Sequence, residues 1–241
     1  MKKFYGAVFF AVASIAVSAC DSGPGAASSA PAGSTTGGST SGGGPTGGGT
    51  SNVPVGESCQ GGDANHVCLA VHFVTYKDPS GIPVVNETLA AAIIHGMNQI
   101  WKQCDVGFQI EKYEQVDPTQ FQLSYGSQSE NELTQIRQTW ANPNNELLGV
   151  TTGPWGTNTT AWTAMPGTGP YGAVMSADIS NYGNGVTYAH EFGHYIGLDH
   201  VSDPANLMNP VTYTTSVALD SSQCQTAVDT AKSFWPAMLR Q

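Results

Sequence analysis

Ten residues from Val67 to Tyr76 (VCLAVHFVTY) are apolar at nearly every position, with no alternating polar face. Such a run reads as a strand inside a sheet covered on both sides. His72 falls within it and reads as a satisfied core or face residue. The period then changes. Leu89, Ile93, Met97, Ile100 and Cys104 recur every three or four residues, which predicts a helix with one apolar face, and Asn86 stands where an N-cap is needed. His95 lies off that stripe and reads as solvent-facing. Phe108 to Val116 alternates as a second strand, Glu130 to Trp140 is a shorter helix with Leu133, Ile136 and Trp140 on one side, and Leu147 to Thr152 is a third strand. Gly153 to Pro170, rich in glycine and threonine and carrying Trp155 and Trp162, reads as a loop, and Tyr171 to Ile179 as a further strand. Ser221 to Trp235 closes the chain as a helix, with Cys224, Ala227, Val228, Ala231 and Trp235 facing inward. There is no internal repeat and no nucleotide-binding glycine loop.

The first 56 residues follow none of these patterns. Lys2 and Lys3 precede an apolar run from Tyr5 to Val17 that is too short for a stable membrane span, so residues 1–19 are expected to be a signal peptide. Val17-Ser18-Ala19-Cys20 resembles the lipobox of a bacterial lipoprotein, with Val17 where leucine is usual. That resemblance implies cleavage before Cys20 and a lipid on its thiol, hence a membrane anchor facing the periplasm or the exterior; simple secretion is the alternative. Residues 20–56 beyond the anchor are Gly, Ser, Thr, Ala and Pro with almost nothing to bury, and such a stretch cannot offset its own ordering entropy. A flexible coil of that length reaches roughly 30–35 Å, enough to serve as a tether.

Residues 57–241 remain as one domain, long enough to bury about 70% of its unfolded surface without a dense disulfide framework. Without the two signal lysines, six basic residues face eighteen acidic ones, a net charge near −12, which argues against a nucleic-acid partner. The acidity could hold Ca²⁺, but no D-x-[DN]-x-[DN]-G loop occurs to support such a site. With Cys20 lipidated, Cys59, Cys68, Cys104 and Cys224 are an even set in an oxidising compartment and allow three pairings. The favoured one joins Cys59 to its near neighbour Cys68, and Cys104 to Cys224, tying the end of one helix to the C-terminal helix. A zinc site of all four cysteines competes with it, although their spacing resembles no zinc ribbon.

The chemistry is concentrated between His190 and His200 (HEFGHYIGLDH). On a helix His190 and His194 stand one turn apart on one face, and two imidazoles so placed can grip one Zn²⁺. Glu191 is rotated off the ligand line, where it can reach a water on the metal. Gly197 supplies the left-handed residue that ends a helix, letting the chain turn and bring His200 round as third ligand. Three protein ligands with one open position are the arrangement of a catalytic zinc; structural zincs are closed by four.

This stretch resembles the metzincin pattern H-E-x-x-H-x-x-G-x-x-H at every fixed position, and the resemblance extends over Asn206-Leu207-Met208-Asn209-Pro210, the place of the metzincin Met turn. It implies an α+β, metzincin-like zincin: a twisted, mostly parallel sheet with an antiparallel edge strand, a backing helix and an active-site helix, then a small C-terminal subdomain with the Met turn and a closing helix. Met208 would form an apolar floor beneath the imidazoles. The strand before the zinc helix, here Tyr171 to Ile179, would be the sheet edge lining the cleft, where a peptide can add as a further strand. Some metzincins place a tyrosine two residues after the methionine; Pro210 stands there instead, and Tyr213 reads as a pocket-wall or core residue. Val201 after the third histidine matches no well-known subgroup, while Asp203 to Met208 has a matrixin-like look and Gly197 to His200 fits matrixin-, serralysin- or pappalysin-like enzymes. Some metzincins are silenced by a pro-segment cysteine on the zinc, but no pro-domain stands between linker and first strand, so the enzyme is expected to be made active or to be inhibited by a separate partner.

The expected activity is therefore an extracytoplasmic, monomeric zinc endopeptidase acting on proteins or peptides. Zinc would polarise the scissile carbonyl and lower the pKa of a water from 15.7 to about 7, and Glu191 would act as general base and then acid. A surface lipoprotein that holds zinc and binds a partner without turnover is one alternative. A zinc hydrolase of cell-wall peptides is another.

Overall fold

Burial follows the alternation of a strand with two covered faces. In the computed structural model, which describes residues 50–51, 54–60, 62, 66–126, 129–142, 144–179 and 185–241, every residue of Val67–Tyr76 is buried. Along the chain run β1 (Thr50–Ser51), β2 (Val67–Tyr76), α1 (Glu87–Trp101), β3 (Val106–Val116), α2 (Glu130–Trp140), β4 (Leu147–Thr151), β5 (Ala161–Thr163), β6 (Ala173–Met175), α3 (Val186–Tyr195), α4 (Ser221–Phe234) and β7 (Leu239–Arg240). Val67, Leu69, Val71 and Phe73 of β2 join the core beneath α1 and α3, while Val74 and Tyr76 join the core beneath α2. Odd and even positions of one strand thus serve two hydrophobic layers.

The sheet runs β1-β3-β2-β4-β6-β5, with β7 also on β2. β3, β2, β4 and β6 run parallel to one another; β1, β7 and β5 pair antiparallel with β3, β2 and β6. This is the expected α+β arrangement. Helix α1 starts at its predicted cap, Asn86, whose side chain accepts from Leu89 N. Its last turn, Lys102–Cys104, tightens into a 3₁₀ turn. Disulfides join Cys59 to Cys68 and Cys104 to Cys224, the second linking that turn to the first turn of α4. Asp220 caps α4 in a capping box with Gln223.

Two expectations are corrected. The strand read over Tyr171 to Ile179 is only Ala173–Met175, and it lies between β4 and β5 instead of at the edge. It stops because Ser176 and Asp178 turn back on loop 153–156, Asp178 Oδ2 accepting from Trp155 N and Gly156 N. The edge is β5, three residues inside the stretch read as loop, too short to show a period. Likewise the tail of the expected 20–56 coil joins the sheet. Thr50 and Ser51 pair with Glu114 and Tyr113 of β3, and Val55, buried, donates its N–H to Ile110 O. Edge pairing uses the backbone, so small side chains do not prevent it. The expected signal peptide, Cys20 and the expected linker as far as residue 49 lie outside the described residues.

Candidate active site

Helix α3 is fastened to the sheet before it can present anything. Phe192 packs edge-on against Phe108 with ring centroids 5.3 Å apart. Tyr188 and Thr151 share a hydrogen bond of 2.6 Å, Tyr195 OH accepts from Leu148 N, and Trp101 Nε1 donates to Ala189 O. These contacts fix the rotation of the helix, and with it the direction of His190 and His194.

The chain leaves α3 through two paired bonds, Gly197 N to His194 O and Leu198 N to Gly193 O, which make a Schellman ending. Gly197 has φ of +91°, the left-handed region where a Cβ clashes. The turn brings His200 back beside the helix. Its Nε2 lies 3.0 Å from that of His194 and 3.3 Å from that of His190, and the remaining Nε2 pair is 3.1 Å apart. Each of the two helical histidines donates its Nδ1 proton to a carbonyl at 2.7 Å, His190 to Leu207 O and His194 to Leu198 O. Those bonds set the tautomer and leave lone pairs on Nε2, as metal-ligating histidines require.

Burial keeps the imidazoles neutral. It lowers His190 to about 4 and, helped by the two neighbouring rings, His194 to about 3; His200 is lowered by burial as well. Three lone pairs converging at 3.0–3.3 Å repel one another unless a cation lies between them. Four ligands at ~2.0–2.1 Å around a tetrahedral zinc are about 3.3 Å apart. The donor set therefore fits zinc, and among the described residues His190, His194 and His200 are the group of this kind.

Met208 is fully buried, and a Cβ built on Gly193 would fall 2.5 Å from its Sδ, so the helix passes directly over the sulfur. Asn206 holds the turn, accepting from Met208 N at 2.8 Å while its amide pairs with that of Gln223 from α4. Glu191 is fully buried, and its Oε2 accepts a 2.6 Å hydrogen bond from Thr163 Oγ1 on β5. Sequence reasoning missed Thr163 and Gln223. Nothing local marks Thr163, because its role depends on a three-residue strand; Gln223 carried a signal in the Asp-x-x-Gln capping box.

Other candidates fall elsewhere. His72 is buried and bonded to Glu114 Oε2 at 3.1 Å, and His95 is exposed beside Glu57. Tyr213 is 51% exposed, which removes the core half of its pocket-wall-or-core reading; Ser216 Oγ accepts from its backbone N–H.

The fold and the three-histidine centre together define a zinc metallopeptidase of the metzincin type. Within that class the chain belongs to the matrixin family, whose sequence model matches residues 82–229, more than half its length. Similar solved structures include mirolysin of Tannerella forsythia, the mature form in complex with a cleaved peptide (TM-score 0.53, 10% identity, covering 73% of this chain and 99% of that one). Mirolysin in complex with compound 9 gives TM-score 0.56 at 11% identity, covering 72% and 96% of the two chains. Metalloproteinase-II from Bacteroides fragilis gives 0.51 at 12%, covering 68% of this chain and 53% of that one. The chain thus spans about half the length of the Bacteroides structure, and at these identities the likeness is one of fold.

Proposed function

We propose that this protein is an extracytoplasmic, zinc-dependent endopeptidase, with Glu191 as general base and then acid. The observation that carries the reading is the convergence of three neutral imidazoles, with Glu191 one residue from the first of them on the same helix. His190, His194 and His200 would hold the ion. Zinc bound there supplies Lewis acidity, which activates a water and polarises a carbonyl. Glu191 takes the proton of the attacking water and returns it to the leaving amine, so the chain supplies both transfers from one carboxylate. Met208 keeps the floor beneath the ligands apolar and dry. The edge strand β5 offers main chain to an extended peptide, which would favour main-chain recognition over a strict side-chain code.

The matrixin relationship supports a peptide or protein substrate. Signal and lipobox patterns support export and a tether through Cys20, with the domain acting as a monomer at the cell envelope. Among the described residues no helix is long and apolar enough to cross a membrane. The test is a quenched-fluorescent peptide library run beside muropeptides. Cleavage of peptides, abolished by a chelator and restored by Zn²⁺, is expected. One bound zinc per chain without cleavage of any peptide would contradict the proposal and favour a binding lipoprotein; release from muropeptides alone would make it a cell-wall hydrolase.

A further inference from the structure

Glu191 is met by a residue of β5, far from the histidine motif in sequence. Thr163 Oγ1 lies 2.6 Å from Glu191 Oε2, within the range of about 2.5–2.7 Å for a hydroxyl donating to an ionised carboxylate. Oε2 has only acceptor capacity in that state, so the hydroxyl is the donor. The threonine is held by the sheet. It pairs with Ala173 of β6, and the buried Arg137 of α2 clasps the same hairpin from the other side, donating to Trp162 O and Gly172 O at 3.0 Å each. A β-branched side chain on a paired strand has little torsional freedom, whereas the terminal torsion of a glutamate is broad and soft. The stiff partner therefore orients the soft one.

We propose that Thr163 is a positioning residue for hydrolysis, acting through Glu191; this rests on the endopeptidase reading above. Its hydroxyl keeps its own proton throughout and holds Oε2, so that the carboxylate keeps one orientation while it exchanges the substrate proton. As the new C–O bond forms, Glu191 takes a proton from the attacking water. As the C–N bond breaks, the same carboxylate delivers that proton to the amine nitrogen. Because β5 is the strand to which a peptide would add, one rigid element both seats the substrate and aims the base. The seated peptide and the carboxylate then share a common frame, and the register between scissile bond and base is set by one strand.

The experiment compares wild type, Thr163→Val, Thr163→Ser and Glu191→Gln in the full chain, with kcat and KM measured separately and zinc content and melting temperature determined for each. Thr163→Val keeps the shape and removes the donor. It is expected to lower kcat about tenfold, to leave KM within about twofold, and to keep the zinc and melting temperature of wild type. Thr163→Ser returns the donor and should recover kcat to within about threefold of wild type. Unchanged kcat in Thr163→Val overturns the inference, as does a rise in KM alone, which would mark Thr163 as part of the strand's shape. A serine variant as slow as the valine one overturns it too, and this comparison can be made with Thr163→Ala if the valine variant does not fold. Absence of cleavage by wild type itself would instead sink the endopeptidase reading, and the inference with it.

Discussion

Two glycines, one in α3 and one in the turn that ends it, show how single positions set the centre. Gly193 lies over Met208, and a methyl group there would sit 2.5 Å from the sulfur. Alanine is the better helix former by about 1 kcal/mol, but overpacking a filled core costs about 1–3 kcal/mol. Gly193→Ala should therefore lower the melting temperature and weaken zinc binding together; a variant melting at or above wild type would mean the methionine moves away freely. Gly197 is constrained by its φ of +91° and by Thr230 Oγ1, which would lie 2.7 Å from a Cβ. Forcing an L-residue into that region costs about 1–2 kcal/mol before any clash. Alanine there should loosen His200, the ligand beyond the turn, so calorimetric titration should find weaker zinc binding in Gly197→Ala than in wild type.

At the level of elements, a disulfide ties the turn after α1 to helix α4. The Cys104–Cys224 bridge spans 120 residues and Cys59–Cys68 only 9. Loop-closure entropy assigns about 5 kcal/mol to the longer loop and about 2.5 kcal/mol to the shorter. Replacing Cys104 and Cys224 by serine should lower the denaturant midpoint clearly more than replacing Cys59 and Cys68; equal losses would contradict the entropic argument. The elements most legible in the sequence are those with a sustained period. β2, α2 and the apolar face of α1 are found where their patterns place them, and the zinc motif needed only the spacing of its histidines and Gly197. Short elements were not legible. β5 has three residues and β1 two, too few for a period to show in the sequence. Thr163 was invisible for the same reason: its partner Glu191 is 28 residues away, across a strand that only the assembled sheet defines.

Across the whole molecule, acidity and stability meet at one half-buried cluster on the sheet. The hydrogen bond from His72, aided by Lys112 and opposed by burial, holds the Glu114 carboxyl down to about 2. A carboxyl lowered by folding stabilises the protein above its unfolded value of about 4.3, and that contribution is lost as pH falls from there toward 2. Allowing for screening by water, it is about 1–2 kcal/mol. Glu114→Gln should therefore melt below wild type at pH 7, with the two curves converging in acid; a difference that persisted near pH 2 would assign the loss to something other than the charge. The central claim is that three histidines hold a zinc ion which works only with the carboxylate beside it. It is tested most directly by kcat/KM for peptide cleavage in wild type and Glu191→Gln, with zinc counted in both. The account predicts one zinc per chain in each protein and a loss of about a thousandfold or more in the variant. A variant that keeps its zinc and cleaves within tenfold of wild type would contradict it.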